Sequence, residues 1–509
     1  MHNKIIPDTK NFPKFVKKPL NLMKIREEAS RCLLCINAPC TEACPSGLDP
    51  ARALRAIRFD NTPEAGRWLG AECASCDAPC QKKCICPEQP LRIREVAADV
   101  QTSADEPVPD AALPDLSIEF CGIRCENPFF LASSAVCTNF EMVAKAFDLG
   151  WGGVCFKTIT LSEIKEVSPR FDAVRNIGEA FTGFRNMEQL SENTASENFS
   201  IIRRLKDSYP DKIVVASIMG ENEDQWIELA RGAEQAGADM LELNFSCPQM
   251  KYAGMGSDVG QNPELVMYYS SFVKKTVQIP VIAKMTPNIT HISQPAMSAY
   301  FAGCDGISAI NTIKSITMDE KAMVSGKRTV SGYSGNAIKP IALRYIYEMA
   351  SNSLLNKGDQ KLQLSGIGGI ETWRDALEFI QLGCQNVQVC TSVMQYGYRV
   401  IDDLKLGLQT YMLKHGIKSL DKLVGSELHT VCNANGLDRD TKIFPKWDYS
   451  KCVGCGRCFL ACSDAGHQAI VFEEGRKPRM NGRKCVGCHL CRLVCPTGAI
   501  GMTARTKLI

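Results

Sequence analysis

The chain has 509 residues, 45% hydrophobic and 23% charged, enough to bury one large core with smaller satellites in two to four domains. Its net charge of +3 is spread without a basic block, which argues against nucleic acid as a partner, and no apolar run reaches the length of a membrane span. The start, Met1-His2-Asn3-Lys4 onward, lacks the apolar core of a secretory signal and so points to the cytoplasm, where a reducing environment excludes a disulfide framework built from 26 cysteines.

Those cysteines are clustered: nine lie between Cys32 and Cys86, eight between Cys452 and Cys495, and nine are scattered between. The expected organisation is a helical iron–sulfur domain over residues 1–100, a linker over 101–115, a large central domain over 116–420, a connecting segment over 421–446 and a ferredoxin-like domain over 447–509. The first module reads Cys32-x2-Cys35-x4-Cys40-x3-Cys44-Pro45, then a helical stretch from Asp49 to Leu69, then Cys73-x2-Cys76-x3-Cys80-x3-Cys84-x-Cys86-Pro87. Two [4Fe–4S] cubes need eight thiolates, and nine are offered. A zinc-binding helical domain is the alternative. The spacing resembles the two-cluster domain that heads glutamate synthase small subunits and dihydropyrimidine dehydrogenases. That resemblance implies one cube on Cys32, Cys35, Cys40 and Cys84 and a second on Cys44, Cys76 and Cys80. Its last ligand is Cys86 or Cys73, since the glutamine that animal enzymes use has no counterpart here.

Gln101 to Asp115 is polar and proline-bearing, as a linker requires. A hairpin, Leu116 to Cys125, then opens the central domain. Apolar runs follow at Phe129–Ser133, Gly153–Lys157, Ile213–Ile218, Met240–Phe245, Val281–Met285, Gly306–Asn311, Leu362–Gly366 and Val387–Thr391, separated by stretches of helical period. Eight buried strands alternating with helices are the arithmetic of an α/β protein of the (β/α)8 TIM-barrel type.

The polar residues give the barrel a direction. Ser133, Lys157, Asn244, Cys247, Lys284, Asn311, Thr312, Gly368, Gly369 and Thr391 all fall at or just after the C-terminal end of a predicted strand, the end where barrel enzymes keep their chemistry. Loops after the seventh and eighth strands, Gly366-Ile367-Gly368-Gly369 and Cys390-Thr391-Ser392, stand where barrels hold phosphate. Between two electron-carrying modules, the phosphate carrier that suits is FMN, because a flavin turns one-electron traffic into two-electron chemistry. Lys157 and Lys284, each closing a buried strand, would face its ring. The glycine-punctuated loop Gln249 to Gln261 is predicted to act as a lid.

In the last module, Cys452, Cys455, Cys458 and Cys462 read C-x2-C-x2-C-x3-C, and Cys485, Cys488, Cys491 and Cys495 repeat it. In this bacterial ferredoxin spacing each run gives three thiolates to one [4Fe–4S] cube and its fourth to the other. One cube takes Cys452, Cys455, Cys458 and Cys495; the other takes Cys485, Cys488, Cys491 and Cys462. Ser463 stands where proline is usual.

Phe156-Lys157-Thr158, Asn186-Met187-Glu188, Asn244-Phe245-Ser246-Cys247-Pro248, Ala283-Lys284-Met285-Thr286-Pro287-Asn288, Asn311-Thr312, Ser331-Gly332-Tyr333-Ser334-Gly335 and Gly366-Ile367-Gly368-Gly369-Ile370-Glu371-Thr372 together resemble the FMN barrel of the dihydropyrimidine dehydrogenase family. The likeness is nearest to the catalytic subunits of the bacterial NAD-dependent form and runs from about Leu116 to Thr497; dihydroorotate dehydrogenases are wider relatives. It implies that Ala132, Ser133, Lys157, Thr158, Asn186, Lys284, Asn311, Ser334, Gly335, Gly368, Gly369, Cys390 and Thr391 hold FMN. It also implies that Asn186, Glu188, Asn244, Ser246, Asn311 and Thr312 grip the pyrimidine and that Cys247 is the catalytic acid. Gln249 departs from the animal pattern, where a histidine follows the Cys-Pro pair.

The chemistry agrees. Uracil alternates carbonyls with N–H groups, so amide side chains, which donate and accept, suit its edges. Reducing its 5,6 double bond needs a proton at C5 from a positioned acid, and a thiol with a reference pKa of about 8.5 can give one. No G-x-G-x-x-G closes a strand and opens a helix, so electrons are expected from a separate FAD- and NAD(P)H-binding flavoprotein subunit or a ferredoxin, in a homodimer or heterotetramer. The alternatives are a dihydroorotate dehydrogenase or other flavin ene-reductase acting on a different cyclic imide, and an electron-transfer scaffold subunit of a larger redox complex.

Overall fold

Eight short runs of side chains, every one buried except Gln363, pair in parallel and close on themselves. In this computed structural model, which describes residues 22–86, 89–103, 113–175, 181–248, 250, 254–318, 324, 326–356, 362–472 and 475–507, the barrel strands are β1 (Phe129–Leu131), β2 (Gly153–Ile159), β3 (Ile213–Ile218), β4 (Met240–Asn244), β5 (Val281–Lys284), β6 (Gly306–Ala309), β7 (Gln363–Ile367) and β8 (Asn386–Val389). They follow one another around the barrel, and β8 closes on β1 through Val387 opposite Phe129. Continuous burial follows from helices covering the outside while side chains fill the inside.

The intervening helices start on side-chain caps. Thr194 and Thr372 build capping boxes with Glu197 and Asp375, and Asn222 and Asn262 accept backbone N–H groups of the first turns of Glu223–Gln235 and Pro263–Thr276. Trp226, Phe156, Phe245 and Phe379 are fully enclosed in the core between strands and helices.

Several predicted strands overrun the observed ones by one or two residues at the C-terminal end. There the chain leaves the ladder for side-chain bonds: Asn244 Oδ1 accepts from the Ser246 N–H at 3.2 Å, and Asn311 Oδ1 from the Thr312 N–H at 2.7 Å. The expected opening hairpin is present, Ile118–Phe120 against Ile123–Cys125. A second sheet was not expected. Four antiparallel strands, in spatial order Ile313–Ser315, Ser331–Ser334, Phe181–Asn186 and Phe171–Arg175, form from the loops after β2 and β6. Arg185 pins it internally, donating to Ser331 Oγ at 2.9 Å, to Thr317 Oγ1 at 2.6 Å and to the Thr329 carbonyl at 2.9 Å.

The chain divides into two compact units, one ending at Leu428 and one beginning at His429, inside the expected connecting segment. The N-terminal cysteine module is part of the first unit. Its helices Leu22–Ser30, Pro50–Arg58 and Ile93–Ser103 bury Ile25, Leu54, Ile57, Val96 and Ala97 against one another. The single helix expected over Asp49–Leu69 is broken: Asp60 adopts a φ of 68°, and a 3-10 turn follows over Pro63–Trp68. That break docks the module on the barrel. Trp373 Nε1 donates to the Asp60 carbonyl at 3.1 Å, Asn61 Nδ2 to the Asp403 carbonyl at 2.7 Å, and Arg55 lies 2.7 Å from the Asp403 carboxylate. Helix Val400–Lys414 carries Gly407 at this point, where a Cβ would fall 2.3 Å from Asn61 Oδ1. The helix Ile93–Ser103 reaches into the expected linker, of which residues 104–112 lie outside the described residues.

The second unit has the architecture expected of a ferredoxin. Helices Arg457–Asp464 and Leu490–Leu493 sit with the antiparallel pairs Pro445–Trp447/Ile500–Met502 and Ile470–Phe472/Pro478–Met480. Its core consists of Cys458, Ile470, Cys491 and Ile500. Among the described residues, no helix is long and apolar enough to cross a membrane.

Candidate active site and cluster sites

A cavity partly open to solvent lies where the C-terminal ends of the barrel strands meet the four-stranded sheet. Barrel strands and their loops supply Ser133, Lys157, Asn244, Cys247, Lys284 and Thr391; the added sheet supplies Phe184, Asn186 and Ser334. Of the expected flavin and pyrimidine residues, all line this cavity except Ser246.

Ser246 stands behind the wall, fully buried. Its hydroxyl donates to Asn244 Oδ1 at 2.8 Å and accepts from Asn311 Nδ2 at 2.8 Å, so it fixes both amides. Asn244 Nδ2 donates to Thr158 Oγ1 at 3.0 Å, and Thr158 is shared with Ser133 at 3.1 Å and Ser217 at 2.9 Å. This network presets the amide orientations before any ring arrives. Cys247, 6% exposed, opens onto the same cavity. Its carbonyl accepts the Ser257 N–H at 2.9 Å, and a Cβ on Gly256 would lie 2.4 Å from that carbonyl oxygen. The loop beyond Cys247 therefore packs on the cysteine's backbone at a point where only glycine fits. Gln249 and residues 251–253 of the expected lid lie outside the described residues.

Both barrel lysines are buried and paired. Lys157 Nζ is 2.7 Å from Glu188, which Arg170 also reaches at 3.3 Å; Glu188 is thus a counter-ion in the cavity wall. Lys284 Nζ is 3.1 Å from Glu242, whose other oxygen accepts from Ser308 Oγ at 2.7 Å and Gln388 Nε2 at 3.2 Å. Burial opposes charge on both members of the second pair, but mutual attraction prevails and holds Glu242 below and Lys284 above their ordinary ranges.

The cavity fits a flavin phosphate ester. Gly335, Gly368 and Gly369 have φ of 92°, 126° and 78°, and a Cβ on Gly369 would lie 2.9 Å from both the Gly335 carbonyl oxygen and the Lys339 nitrogen. Backbone can approach a bound group there as no side chain would permit. Gln388 Oε1 lines the cavity, buried and without a hydrogen-bond partner, an acceptor suited to a ring N–H. Glu242 and Gln388 were not expected from sequence. Each is a polar residue inside a strand predicted as wholly apolar, and that mismatch was the available signal.

The N-terminal cysteines form two groups. Cys32, Cys35, Cys40 and Cys84 line one cavity of about 340 Å3, which Cys86 also borders. The thiols of Cys73 and Cys80 are within electrostatic reach of those of Cys44 and Cys76. Of the two cysteines left open for the last place in the second group, Cys73 stands there, while the Cys86 Sγ is 3.7 Å from Nη2 of Arg31. The cause is chain direction, because the short Pro79–Lys82 helix carries Cys80 into the second group and the chain beyond it to the first. In the second unit, Cys452, Cys455, Cys458 and Cys495 line a cavity of about 320 Å3, and Cys491 is within electrostatic reach of Cys462 and Cys488. Among the described residues no three His, Cys, Asp or Glu side chains converge on a single-ion site; a cube takes its thiolates at separate irons.

Three family profiles match the chain: dihydroorotate dehydrogenase over residues 115–412, a 4Fe-4S dicluster domain over 446–502, and the 4Fe-4S cluster domain II of dihydropyrimidine dehydrogenase over 8–106. The NAD-dependent dihydropyrimidine dehydrogenase subunit PreA of Escherichia coli is 52% identical over 366 residues, 71% of this chain and 88% of its own length. The chloroplastic NADP-dependent dihydropyrimidine dehydrogenase of Arabidopsis thaliana is 40% identical over 330 residues, covering 62% of this chain and 77% of the relative. The catalytic subunit of the NAD-dependent dihydroorotate dehydrogenase B of Pyrococcus horikoshii is 37% identical over 316 residues, covering 62% and 98%.

Proposed function

The chain belongs to the dihydroorotate dehydrogenase family, alongside the dihydropyrimidine dehydrogenases, and on that premise we propose that it reduces the 5,6 double bond of uracil or thymine, or runs the reverse reaction. It is an oxidoreductase that carries FMN in its barrel and [4Fe–4S] clusters at both ends. The observation that carries the pyrimidine reading is the shared wall: Cys247, Asn186, Asn244 and Asn311 face one cavity with the glycine cradle of Gly335, Gly368 and Gly369.

FMN, when bound, would supply hydride chemistry and the pairing of single electrons. Ala132, Ser133, Lys157, Thr158, Lys284, Ser334, Gly335, Gly368, Gly369, Cys390 and Thr391 are the residues to hold it. Asn186, Asn244, Asn311 and Thr312 bind the pyrimidine edge, with the amides locked by Thr158 and Ser246. Cys247 Sγ gives the proton to C5. Cys73 joins Cys44, Cys76 and Cys80 as the fourth ligand of the second N-terminal cube. Electrons come from a separate FAD- and NAD(P)H-binding subunit or a ferredoxin, a reading supported by the bacterial relative being named a subunit.

Turnover with uracil, thymine and orotate under anaerobic conditions, using a chemical reductant, tests the assignment. Uracil and thymine are expected to be reduced and orotate to be poor. Orotate as the preferred substrate would move the assignment to the dihydroorotate branch, and no turnover with any ring would leave an electron-transfer scaffold.

A further inference from the structure

The contact between the N-terminal module and the barrel includes a clasp that none of the site residues above explains. The first cysteine group sits on a loop, Cys32 to Cys40, in which two residues that are not glycine take left-handed backbone: Leu34 at φ 53° and Asn37 at φ 48°. Such conformations persist only where surrounding contacts hold them. Two arginines on opposite sides of the interface hold this loop, one at Leu34 and the other at its start. Arg399, on the barrel, donates from Nη2 to the Leu34 carbonyl and reaches the Cys35 carbonyl from Nη1 at 3.5 Å. Arg58, on the module, donates from Nη1 to the Ser30 carbonyl at 2.7 Å and reaches the Cys32 carbonyl at 3.4 Å.

Both arginines then meet at one barrel residue. Arg399 Nε donates to the Tyr396 carbonyl at 3.3 Å, and Arg58 Nη2 to the Tyr396 hydroxyl at 3.2 Å, with Phe59 packed edge-on against the Tyr396 ring at 5.1 Å. The Tyr396 hydroxyl donates to Glu371 Oε1 at 3.0 Å, and Glu371 lines the central cavity within the loop after β7. Three polar contacts therefore connect a cysteine loop of the module to the wall of the barrel cavity.

We propose that Arg58 and Arg399 are positioning residues for the cluster on Cys32, Cys35, Cys40 and Cys84, fixing its strained ligand loop against Tyr396 and raising its reduction potential. The inference rests on the reading that this cysteine group binds a [4Fe–4S] cube. A cube held by four thiolates is a net anion, and gaining one electron makes it more so. Two guanidinium groups on the backbone of its ligand loop favour the reduced form. Among the described contacts the second cysteine group has a single arginine on its backbone, Arg94 Nη1 to the Cys76 carbonyl at 3.4 Å, against two at the first group, so the two N-terminal clusters should differ in potential.

Anaerobic redox titration of the full-length protein, followed by electron paramagnetic resonance, tests this on Arg399→Gln and Arg399→Lys, with iron, sulfide and flavin counted in each. Arg399→Gln is expected to lower the midpoint potential of one cluster and leave the others in place; Arg399→Lys, which keeps the charge, should restore most of that shift. Loss of a single cluster from Arg399→Gln, recovered in Arg399→Lys, would support the positioning role equally. Full cluster content with every potential unchanged in Arg399→Gln would overturn the proposal. A parent protein that binds no N-terminal cluster would instead remove the reading on which it stands.

Discussion

The proton-donor role proposed for Cys247 requires a thiol shielded from bulk water, and 6% exposure on the cavity wall provides that setting. Cys247→Ala should keep FMN and iron while lowering uracil turnover on the order of 10²- to 10⁴-fold, the usual worth of a positioned acid; steady-state kinetics on cofactor-replete protein checks it. The Lys284–Glu242 pair makes a stability prediction with a defined pH window. Glu242 is held below its unfolded range, so its stabilising contribution is present above about pH 4.3 and lost as pH falls through the folded value. Lys284 is held above its range, so its contribution is present below about pH 10.4 and lost as pH rises through the folded value. Glu242→Gln leaves the Lys284 ammonium buried without its counter-charge and should destabilise the barrel by about 3–5 kcal/mol in chemical denaturation near neutral pH. For the second N-terminal cluster, Cys73→Ser should lose one cluster's iron and sulfide, whereas Cys86→Ser should retain all of it. The reverse result would return Cys86 to the second group.

Among the elements, the barrel strands were legible because each is a short apolar run bounded by turn residues, and a polar residue marks its end. Position in the chain therefore predicted which side chains share a cavity: Asn244 and Cys247, Asn311, and Thr391 come from three different strand ends and meet at one wall. The four-stranded sheet was not legible. Its strands are three to six residues long, carry Asp172, Arg185 and Lys314 among apolar neighbours, and pair segments far apart in the chain, with Arg185 opposite Tyr333. Local periodicity has no purchase on pairings so distant. The glycine loop after β7 is the element most exposed to test. At Gly369, φ is 78° and a Cβ would strike the Gly335 carbonyl, so Gly369→Ala should weaken FMN retention at least about tenfold, about 1.4 kcal/mol. Cluster iron should be unchanged. Flavin fluorescence released on dilution measures the first, and iron analysis the second.

For the molecule as a whole, cysteine spacing alone separated two electron-carrying modules from a barrel, because a cube dictates ligand intervals that ordinary core packing does not. Spacing left open which cysteine completes the second N-terminal group, since Cys73 and Cys86 lie on either side of it in sequence and only the fold tells them apart. Nor did it show that the module would be fastened to the barrel by Asp60 at Trp373 and by Asn61 and Arg55 at helix Val400–Lys414; those residues look like an ordinary polar helix end until the helix breaks at Asp60. The account depends on electrons from those modules being spent on a pyrimidine beside Cys247. The most direct measurement is a single turnover: reduce the anaerobically purified protein with dithionite, remove the excess, add uracil, and follow flavin absorbance together with dihydrouracil. The account predicts that uracil reoxidises the flavin and that dihydrouracil forms in proportion to the electrons stored. A reduced flavin that stays reduced in the presence of uracil and thymine, with no dihydropyrimidine formed, would contradict it.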